Sequence, residues 1–214
     1  KVAISLVSLG LRSAMERGLG YLGIELPGTF TILYYHDIPS RQQFRQQMVE
    51  LRKVARPVPA DFSEAVEPRQ RYVAVTFDDA FESVLRNALP ILIEEGIPCT
   101  IFVPTKYLGT LPGWNIDRRD SAYNQKVMTR EEIRSLPKEL VSIGSHTHSH
   151  ARLSRLENGE MEAELRDSKA ILEGITALPV DSVAFPHGDF DDKVLGVSKA
   201  LGYSKAYSTV PDFS

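Results

Sequence analysis

Residues 71–80 read Arg-Tyr-Val-Ala-Val-Thr-Phe-Asp-Asp-Ala, and this stretch decides the fold. Residues 73–77 are rich in β-branched side chains, which are typical of a buried strand. The strand ends directly in Asp78 and Asp79, and two carboxylates at that point are costly unless something uses their charge. The first turn of a helix would explain one aspartate well and the second less well. The pair therefore slightly favours a functional site over a simple helix start.

Short apolar runs alternate with amphipathic helical patterns over the rest of the chain. Further strands are predicted at residues 31–35, 99–103, 140–144, 180–185 and 204–208. Helices are predicted at residues 44–54, 81–95, 157–173 and 191–202, with a short one after residue 129. This alternation is typical of an α/β protein whose parallel strands are covered by helices, as an open sheet or a barrel. Because a full (β/α)8 barrel takes ~250 residues, we expect a distorted (β/α)7-8 barrel, with reactive groups at the carboxyl ends of its strands.

Local signals predict where several helices begin and end. Thr129 and Glu132 form a capping box, and Asp191 caps the last helix. Pro90 is expected to bend or divide the helix at residues 81–95. Gly174 is expected to end the helix at residues 157–173.

Composition and charge exclude some classes of function. The 214 residues include 25 Lys+Arg and 28 Asp+Glu, a net charge of −3 without the basic stripe typical of nucleic-acid binding. Residues 1–9 are apolar but shorter than the ~18 residues of a membrane span. Because the sequence starts at Lys1 and not at a methionine, the lack of a membrane span or signal peptide in it does not assign a compartment. The single cysteine, Cys99, lies in an apolar run and is expected to be a buried hydrophobic residue.

Residues 145–150, Ser-His-Thr-His-Ser-His, contain three of the five histidines in the chain. His146 and His150 are four residues apart, and on a first helical turn that spacing would aim both imidazoles at one ion. A lone histidine is more often structural, but this pair after a predicted strand favours metal binding. His148 would point elsewhere, as a supporting residue or an uninvolved one.

Two histidines and one carboxylate leave coordination positions open for water and substrate, as catalytic metal sites do. One of Asp78 and Asp79 would bind the ion, and the other would act as general base on the attacking water. This ligand set suits Zn²⁺ best, and Co²⁺, Ni²⁺ or Fe²⁺ fit by geometry. His36 follows the first strand and faces the same rim, but by itself it is better interpreted as a solvent-facing or capping histidine.

Four segments together resemble the polysaccharide deacetylases of the NodB-homology type, carbohydrate esterase family 4. They are Thr-Phe-Asp-Asp at residues 76–79, Asn-Ala-Leu-Pro-Ile-Leu at 87–92, Gly-Ile-Pro-Cys-Thr-Ile-Phe-Val-Pro at 96–104 and Gly-Ser-His-Thr-His-Ser-His at 144–150. The resemblance implies a single deacetylase domain over residues 1–214, a distorted (β/α) barrel, and a polysaccharide or oligosaccharide substrate. It slightly favours a location outside the cytoplasm or in the cell envelope.

The resemblance also implies a role for each matching residue. Asp78 would be the general base, and Asp79, His146 and His150 would hold the metal. The segment Phe-Pro-His-Gly at residues 185–188 matches the Pro-Tyr-Gly segment of the family. The backbone N–H of His187, next to Pro186, would then help to hold the oxyanion, and its imidazole would replace the usual aromatic ring.

The sequence departs from the family pattern at three points. Ala80 stands where a glycine commonly follows the aspartate pair, and Ala184 stands where many members have an arginine that supports the base. No histidine follows His187, although most members have a late catalytic-acid histidine. Either the chain stops before that motif, or the acid comes from elsewhere. In the poly-N-acetylglucosamine deacetylase branch the acid lies in an early Tyr-His-Asp segment, which residues 35–37 resemble, so the resemblance makes His36 the candidate acid.

These observations predict a metal-dependent hydrolase that removes N-acetyl groups from the amino sugars of a bacterial polysaccharide. One alternative is a carbohydrate-binding or scaffold protein that kept the fold without catalysis, which Ala184 and the absent late histidine favour. The intact ligands and base argue against that alternative. A second alternative is a deacetylase of O-acetyl esters or of non-sugar amides. The sequence leaves the polymer, the metal and the oligomeric state open.

Overall fold

The computed structural model describes residues 27–209, so the apolar residues 1–9 lie outside the described residues. Over the described range, parallel strands form one sheet in the order β1-β3-β4-β5-β6-β7, with the short β2 paired to β3. The sheet curls into a half-barrel covered by helices, which confirms the predicted fold class. No helix in this range is long and apolar enough to cross a membrane.

The strands and helices follow the predicted alternation closely. The strands are β1 Thr29–Tyr35, β2 Arg56–Pro57, β3 Arg71–Phe77, β4 Cys99–Val103, β5 Val141–Ser145, β6 Ser182–Ala184 and β7 Lys205–Tyr207. The α-helices are α1 Arg41–Val54, α2 Leu89–Glu95, α3 Arg130–Arg134, α4 Asn158–Thr176 and α5 Asp192–Ala200. The two-residue strand β2 was not predicted, since it is too short to show a pattern.

The core lies between the sheet and its helices. Phe44, Met48 and Leu51 recur at helical spacing on α1 and are buried in the same hydrophobic cluster as Val73 and Val75 of β3. β3 pairs with β1 along one edge and with β4 along the other. Residues 72–77 of β3 are all buried, so both faces of the strand are covered as well. A buried central strand fixes its register strongly, and its carboxyl end is therefore a rigid place for polar side chains.

The predicted helix at residues 81–95 is divided, as Pro90 indicated. A π-helical turn, Val84–Ala88, precedes α2, and Pro90 lies in the first turn of α2. Proline lacks a backbone N–H and fits a first turn, where that donor is not needed. The helix ends at Gly96, whose φ of 62° is the left-handed conformation that glycine adopts without strain.

The cap predictions are confirmed at two helices and wrong at a third. Thr129 and Glu132 form the capping box of α3, and the Asp191 side chain accepts from the Val194 N–H at the start of α5. Gly174 does not end α4, which continues to Thr176 and stops at Ala177 with φ 55°. Thr176 is buried, so its burial outweighs the local signal of the glycine.

Candidate metal centre

The aspartate pair lies where β3 leaves the sheet. Tyr35 of β1 is in register with Phe77 of β3, and the next N–H, that of Asp78, donates to the Tyr35 carbonyl at 2.8 Å. Asp79 and Ala80 then adopt left-handed conformations, with φ of 66° and 51°. Non-glycine residues in this region store strain of order 1–3 kcal/mol each, and such strain clusters at functional sites. The turn leaves both carboxylates buried, Asp78 at 9% and Asp79 at 4% exposure.

The histidine segment follows β5, but it is not the helical turn that the spacing suggested. His146 donates its backbone N–H to Val103, and Thr147 and His150 adopt left-handed φ of 63° and 60°. The backbone of the neighbouring Thr105 and Lys106 hydrogen-bonds the carbonyls of this segment and holds it as a loop. The two histidines still converge, with ring centroids 4.9 Å apart.

Asp79, His146 and His150 come together at this edge of the sheet. Asp79 Oδ1 lies 3.2 Å from His150 Nε2 and 3.6 Å from His146 Nε2. One ligand atom from each of the three residues lies within 4.8 Å of the other two. Asp79 follows β3 and the two histidines follow β5, so only the folded sheet assembles this group.

The His146 ring is oriented by the end of β6. Its Nδ1 lies 2.8 Å from the Ala184 carbonyl, and because a carbonyl only accepts, Nδ1 carries the proton. Burial lowers the pKa of His146 to about 3, so the ring is neutral near pH 7. The lone pair of Nε2 is then directed at Asp79, and a backbone carbonyl that fixes the tautomer in this way is usual behind a metal-binding histidine.

Two buried atoms of this group have no hydrogen-bond partner in the described part of the chain, Asp79 Oδ1 and His150 Nδ1. The short contacts of Asp79 Oδ1 with the two imidazoles lack hydrogen-bond geometry. Buried polar atoms are normally paired, so each exception needs an explanation. A cation between a carboxylate oxygen and two imidazole nitrogens explains the Asp79 contacts, and the donor set fits a zinc-like ion.

The two aspartates differ in their electrostatics. Burial, and then the charge of Asp79, raise the pKa of Asp78 to about 8. Burial alone would raise the pKa of Asp79, but the close approach of the His150 and His146 imidazoles lowers it overall. Asp79 is therefore the ionised ligand candidate. Asp78 needs a nearby cation to ionise at neutral pH.

His36 follows the last residue of β1 and lies on the same rim. It is exposed, and its ring meets the edge of Tyr34 at a centroid distance of 5.9 Å. Because β1 and β3 are parallel and end in register, His36 lies at the same edge of the sheet as Asp78 and Asp79. The neighbouring Asp37 does not hold the His36 ring; its Oδ2 accepts hydrogen bonds from Ser121 Oγ and Gln125 Nε2.

Pro186 and His187 form a turn, Pro186–Gly188, directly after β6. His187 has a left-handed φ of 61°, and its ring meets His150 edge-on at a centroid distance of 4.8 Å. Pro186 is buried and His187 is exposed as a residue, but partial desolvation of the His187 ring is the main cause that lowers its pKa. The turn therefore borders the candidate ligands, where the backbone of His187 can meet a bound molecule.

His148 lies outside the group of ligand candidates. Its Nδ1 is 3.0 Å from Thr105 Oγ1, and its carbonyl accepts from the backbone N–H of Lys106. These contacts hold the loop between His146 and His150 against the segment after β4. His148 is thus a support of the loop, one of the two roles that the sequence left open.

Trp114 is a residue of this centre that sequence reasoning missed. Its indole stacks on the His150 imidazole, with ring centroids 4.3 Å apart and ring planes 18° apart. Tyr107 and Phe81 contact the other parts of the indole, at 5.1 and 6.2 Å between centroids. Trp114 lies in a loop without periodic pattern, and the available signal was that it is the one tryptophan in the chain.

Comparisons of the sequence with known proteins agree on one family. The family described as Polysaccharide deacetylase matches residues 65–206. YxkH of Bacillus subtilis (strain 168) is 24% identical over 204 residues, which cover 89% of this chain and 68% of YxkH. A poly-beta-1,6-N-acetyl-D-glucosamine N-deacetylase of Staphylococcus aureus (strain MRSA252) is 27% identical over 148 residues, or 65% of this chain. That match covers 48% of the staphylococcal protein, so it spans about half of its length.

Solved structures share the fold. IcaB from Ammonifex degensii superposes with a TM-score of 0.72 at 22% identity, over 85% of this chain and 83% of that one. The deacetylase domain of BpsB from Bordetella bronchiseptica superposes with a TM-score of 0.64 at 17% identity, over 89% of this chain and 90% of that one. Both superpositions cover most of either chain, so the half-barrel is a shared architecture.

Proposed function

Because the chain belongs to the polysaccharide deacetylase family, we propose that it is a metal-dependent hydrolase that removes N-acetyl groups from the amino sugars of a bacterial polysaccharide. The observation that carries this proposal is the convergence of Asp79, His146 and His150, with ligand atoms within 4.8 Å of one another, beside the buried Asp78. A carboxylate pair next to two imidazoles provides both an ion site and a base.

Asp79, His146 and His150 would hold a divalent ion, and Zn²⁺ fits this donor set best, with Co²⁺, Ni²⁺ or Fe²⁺ also allowed. When bound, the ion would act as a Lewis acid toward the attacking water and the acetamide carbonyl. Its positive charge would also lower the pKa of Asp78 and ionise that carboxylate. Asp78 would therefore be ionised, and able to act as the base, when the ion is bound.

Asp78 and His36 would share the proton chemistry. Asp78 takes a proton from the attacking water as its oxygen bonds to the carbonyl carbon, and His36 gives a proton to the nitrogen as the carbon–nitrogen bond breaks. The support is topological: the two residues follow the adjacent strands β3 and β1, whose ends are held in register. The products are acetate and a free amine on the sugar.

Pro186 and His187 would complete the site on its other side. The backbone N–H of His187 would donate to the oxygen of the acetamide as negative charge develops there. The left-handed φ of 61° at His187 is a strained conformation of the kind found at functional sites. The ring of His187 against His150 would line the site where family members carry another aromatic ring.

The substrate class rests on the relatives. The staphylococcal relatives are named poly-beta-1,6-N-acetyl-D-glucosamine N-deacetylases, so a polymer of N-acetylglucosamine is the first substrate to test. The polymer is neutral before deacetylation, which agrees with a chain whose net charge of −3 offers no basic stripe for an anionic polymer.

Acetate release tests the proposal directly. The purified chain, loaded with Zn²⁺ or Co²⁺, would be incubated with β-1,6-linked and β-1,4-linked N-acetylglucosamine oligomers, peptidoglycan and O-acetylated polymers. We expect acetate from an N-acetylated oligomer and little from the same oligomer treated with the Asp78→Asn variant. Release of acetate from O-acetyl substrates alone would show that the enzyme hydrolyses an ester and not an amide. Metal and oligosaccharide binding without any acetate release would favour the inactive carbohydrate-binding alternative.

A further inference from the structure

The indole that covers His150 belongs to a loop whose two ends are fastened together. Gly109 donates to the carbonyls of Val127 and Met128, and Val127 donates to Thr110. Residues 111–126, which we call the Trp114 loop, therefore leave and re-enter the fold at one place. A loop of this kind is positioned by what its own side chains reach.

Asp37, next to the candidate acid His36, is what the Trp114 loop reaches. Asp37 Oδ2 accepts from Ser121 Oγ at 2.5 Å and from Gln125 Nε2 at 3.2 Å. Gln125 Nε2 also donates to the Ser121 carbonyl, so the two loop residues and the carboxylate form one closed set of contacts.

The same contacts extend to the segment after the aspartate pair. Gln125 Oε1 accepts from the backbone N–H of Ser83 at 3.3 Å, and Ser83 Oγ accepts from the N–H of Ile38 at 3.1 Å. The strand end with His36, the turn after Asp79 and the Trp114 loop thus meet at Asp37 and Gln125. Two successive turns connect Ser121 and Gln125 with the part of the loop that contains Trp114. In these turns the Tyr123 N–H donates to the Asp120 carbonyl and the Asp120 N–H donates to the Asp117 carbonyl.

We propose that Asp37 is a positioning residue: it fastens the Trp114 loop to the strand end of His36, so that the indole stays on His150 and the candidate acid stays opposite the candidate metal ligands. The effect of Asp37 on catalysis rests on the proposed function. The placement of Trp114 can be measured without any activity. Asp37 acts through Ser121 and Gln125 and needs no contact with substrate.

The test uses the fluorescence of Trp114, which is the one tryptophan of the chain. In Asp37→Ala, we expect a red-shifted emission, stronger quenching by acrylamide, and loss of the extra quenching that Co²⁺ produces when it binds beside His150. Asp37→Asn keeps an oxygen acceptor for Ser121 and Gln125 and should restore the wild-type signals. Asp117→Ala is the matched control, because Asp117 lies in the same loop and its side chain bonds only Arg119 within the described residues, while its backbone bond to Asp120 does not depend on the side chain.

Turnover gives the second measurement. Asp37→Ala should lower kcat for an N-acetylglucosamine oligomer by ~10-fold or more, the scale on which small misplacements of reacting groups act, while metal content stays at the wild-type level. Asp37→Asn should recover most of that loss. If Asp37→Ala does not fold, Ser121→Ala removes the stronger donor from an exposed position and should produce the same spectral changes.

Unchanged Trp114 emission and quenching in both Asp37→Ala and Ser121→Ala would overturn the inference. So would equal changes in Asp117→Ala, since these would mean that any disturbance of the loop frees the indole. A wild-type protein that shows all the Trp114 signals and releases no acetate would instead count against the proposed function and leave the role of Asp37 standing.

Discussion

Trp114 lies flat on the imidazole of His150, with 4.3 Å between ring centroids. The stacking covers one face of a candidate ligand and leaves its edge toward Asp79, 3.2 Å away. The stacked indole excludes water from one face of the His150 ring and limits its rotation. The orientation of His150 is therefore restrained even though its Nδ1 has no hydrogen-bond partner in the described part of the chain. Trp114 therefore restrains the His150 ring by stacking, whereas the Ala184 carbonyl orients the His146 ring by accepting its Nδ1–H.

Metal retention should depend on His146 and not on His148. His146→Ala removes a buried ligand candidate, and the metal affinity should fall by at least the ~10–100-fold that loss of a supporting contact alone costs. His148→Ala is the matched control, because His148 lies two residues away and bonds Thr105 instead. Elemental analysis after dialysis would measure the metal content of both variants and of the wild type. Equal occupancy in wild type and His146→Ala would remove His146 from the metal centre.

Asp78→Asn should separate catalysis from metal binding. The amide has nearly the same shape as the carboxylate but cannot accept a proton from water, so turnover should fall by ~10²–10⁴-fold with metal content unchanged. Asp61→Asn, which alters an exposed ion pair with Lys205, serves as the control and should keep full turnover. Steady-state acetate release would measure the difference, and near-normal turnover in Asp78→Asn would exclude Asp78 as the base.

Without metal, Asp78 should make the protein less stable as the pH rises. Burial raises its pKa from 3.8 to about 8, so the folded state favours the protonated carboxyl. The stabilisation is complete below about pH 4 and is lost as the pH rises toward about 8, with a slope of at most ~1.4 kcal/mol per pH unit. Denaturant unfolding of the metal-free protein across this range, compared with Asp78→Asn, measures it. The two curves should converge at low pH; a constant difference would contradict the raised pKa.

The need for His36 should depend on the leaving group. An amide nitrogen must be protonated to leave, whereas 4-nitrophenolate leaves without a proton. His36→Gln should therefore slow deacetylation of an N-acetylglucosamine oligomer by ~10²–10⁴-fold and change the hydrolysis of 4-nitrophenyl acetate far less. His187→Gln provides the comparison, because the proposed role of His187 lies in its backbone. Equal losses on both substrates in His36→Gln would show that His36 does not act as an acid.

Cys99 should be inert in the folded protein. It is buried in β4, and burial raises its pKa to about 12. At pH 8 the reactive thiolate is then on the order of one part in 10⁴. A disulfide reagent such as 5,5′-dithiobis(2-nitrobenzoic acid) should label the thiol only after denaturant is added. Rapid labelling of the native protein at pH 8 would show that β4 opens locally.

The sequence predicted the sheet and the ligand candidates because both depend on short-range patterns. Residues 73–77 are mostly apolar and rich in β-branched side chains. This composition favours a strand, and it also suits a strand that is buried on both faces. One aspartate of the pair was predicted to lie with His146 and His150 because the carboxyl ends of parallel strands share one edge, and the family resemblance assigned that role to Asp79. The structure places them within reach of one ion there.

Other features could not be predicted because they depend on contacts distant in sequence. Gly174 is a good helix terminator by itself, but the burial of Thr176 carries α4 past it. The spacing of His146 and His150 suggested a helical turn, whereas hydrogen bonds from Thr105 and Lys106 make it a loop. Trp114 lies 36 residues before His150 in a stretch with no periodicity, and its stacking requires the loop to fold back over the sheet.

The contact between His146 Nδ1 and the Ala184 carbonyl has a consequence for mutational tolerance. Position 184 departs from the family in its side chain, and an alignment would score that departure as a loss. The atom that orients His146 is the main-chain oxygen, which every residue type supplies and no point substitution deletes. Alanine at this position therefore leaves the tautomer of His146 intact. Replacements at position 184 should disturb that ring only where their bulk displaces the end of β6.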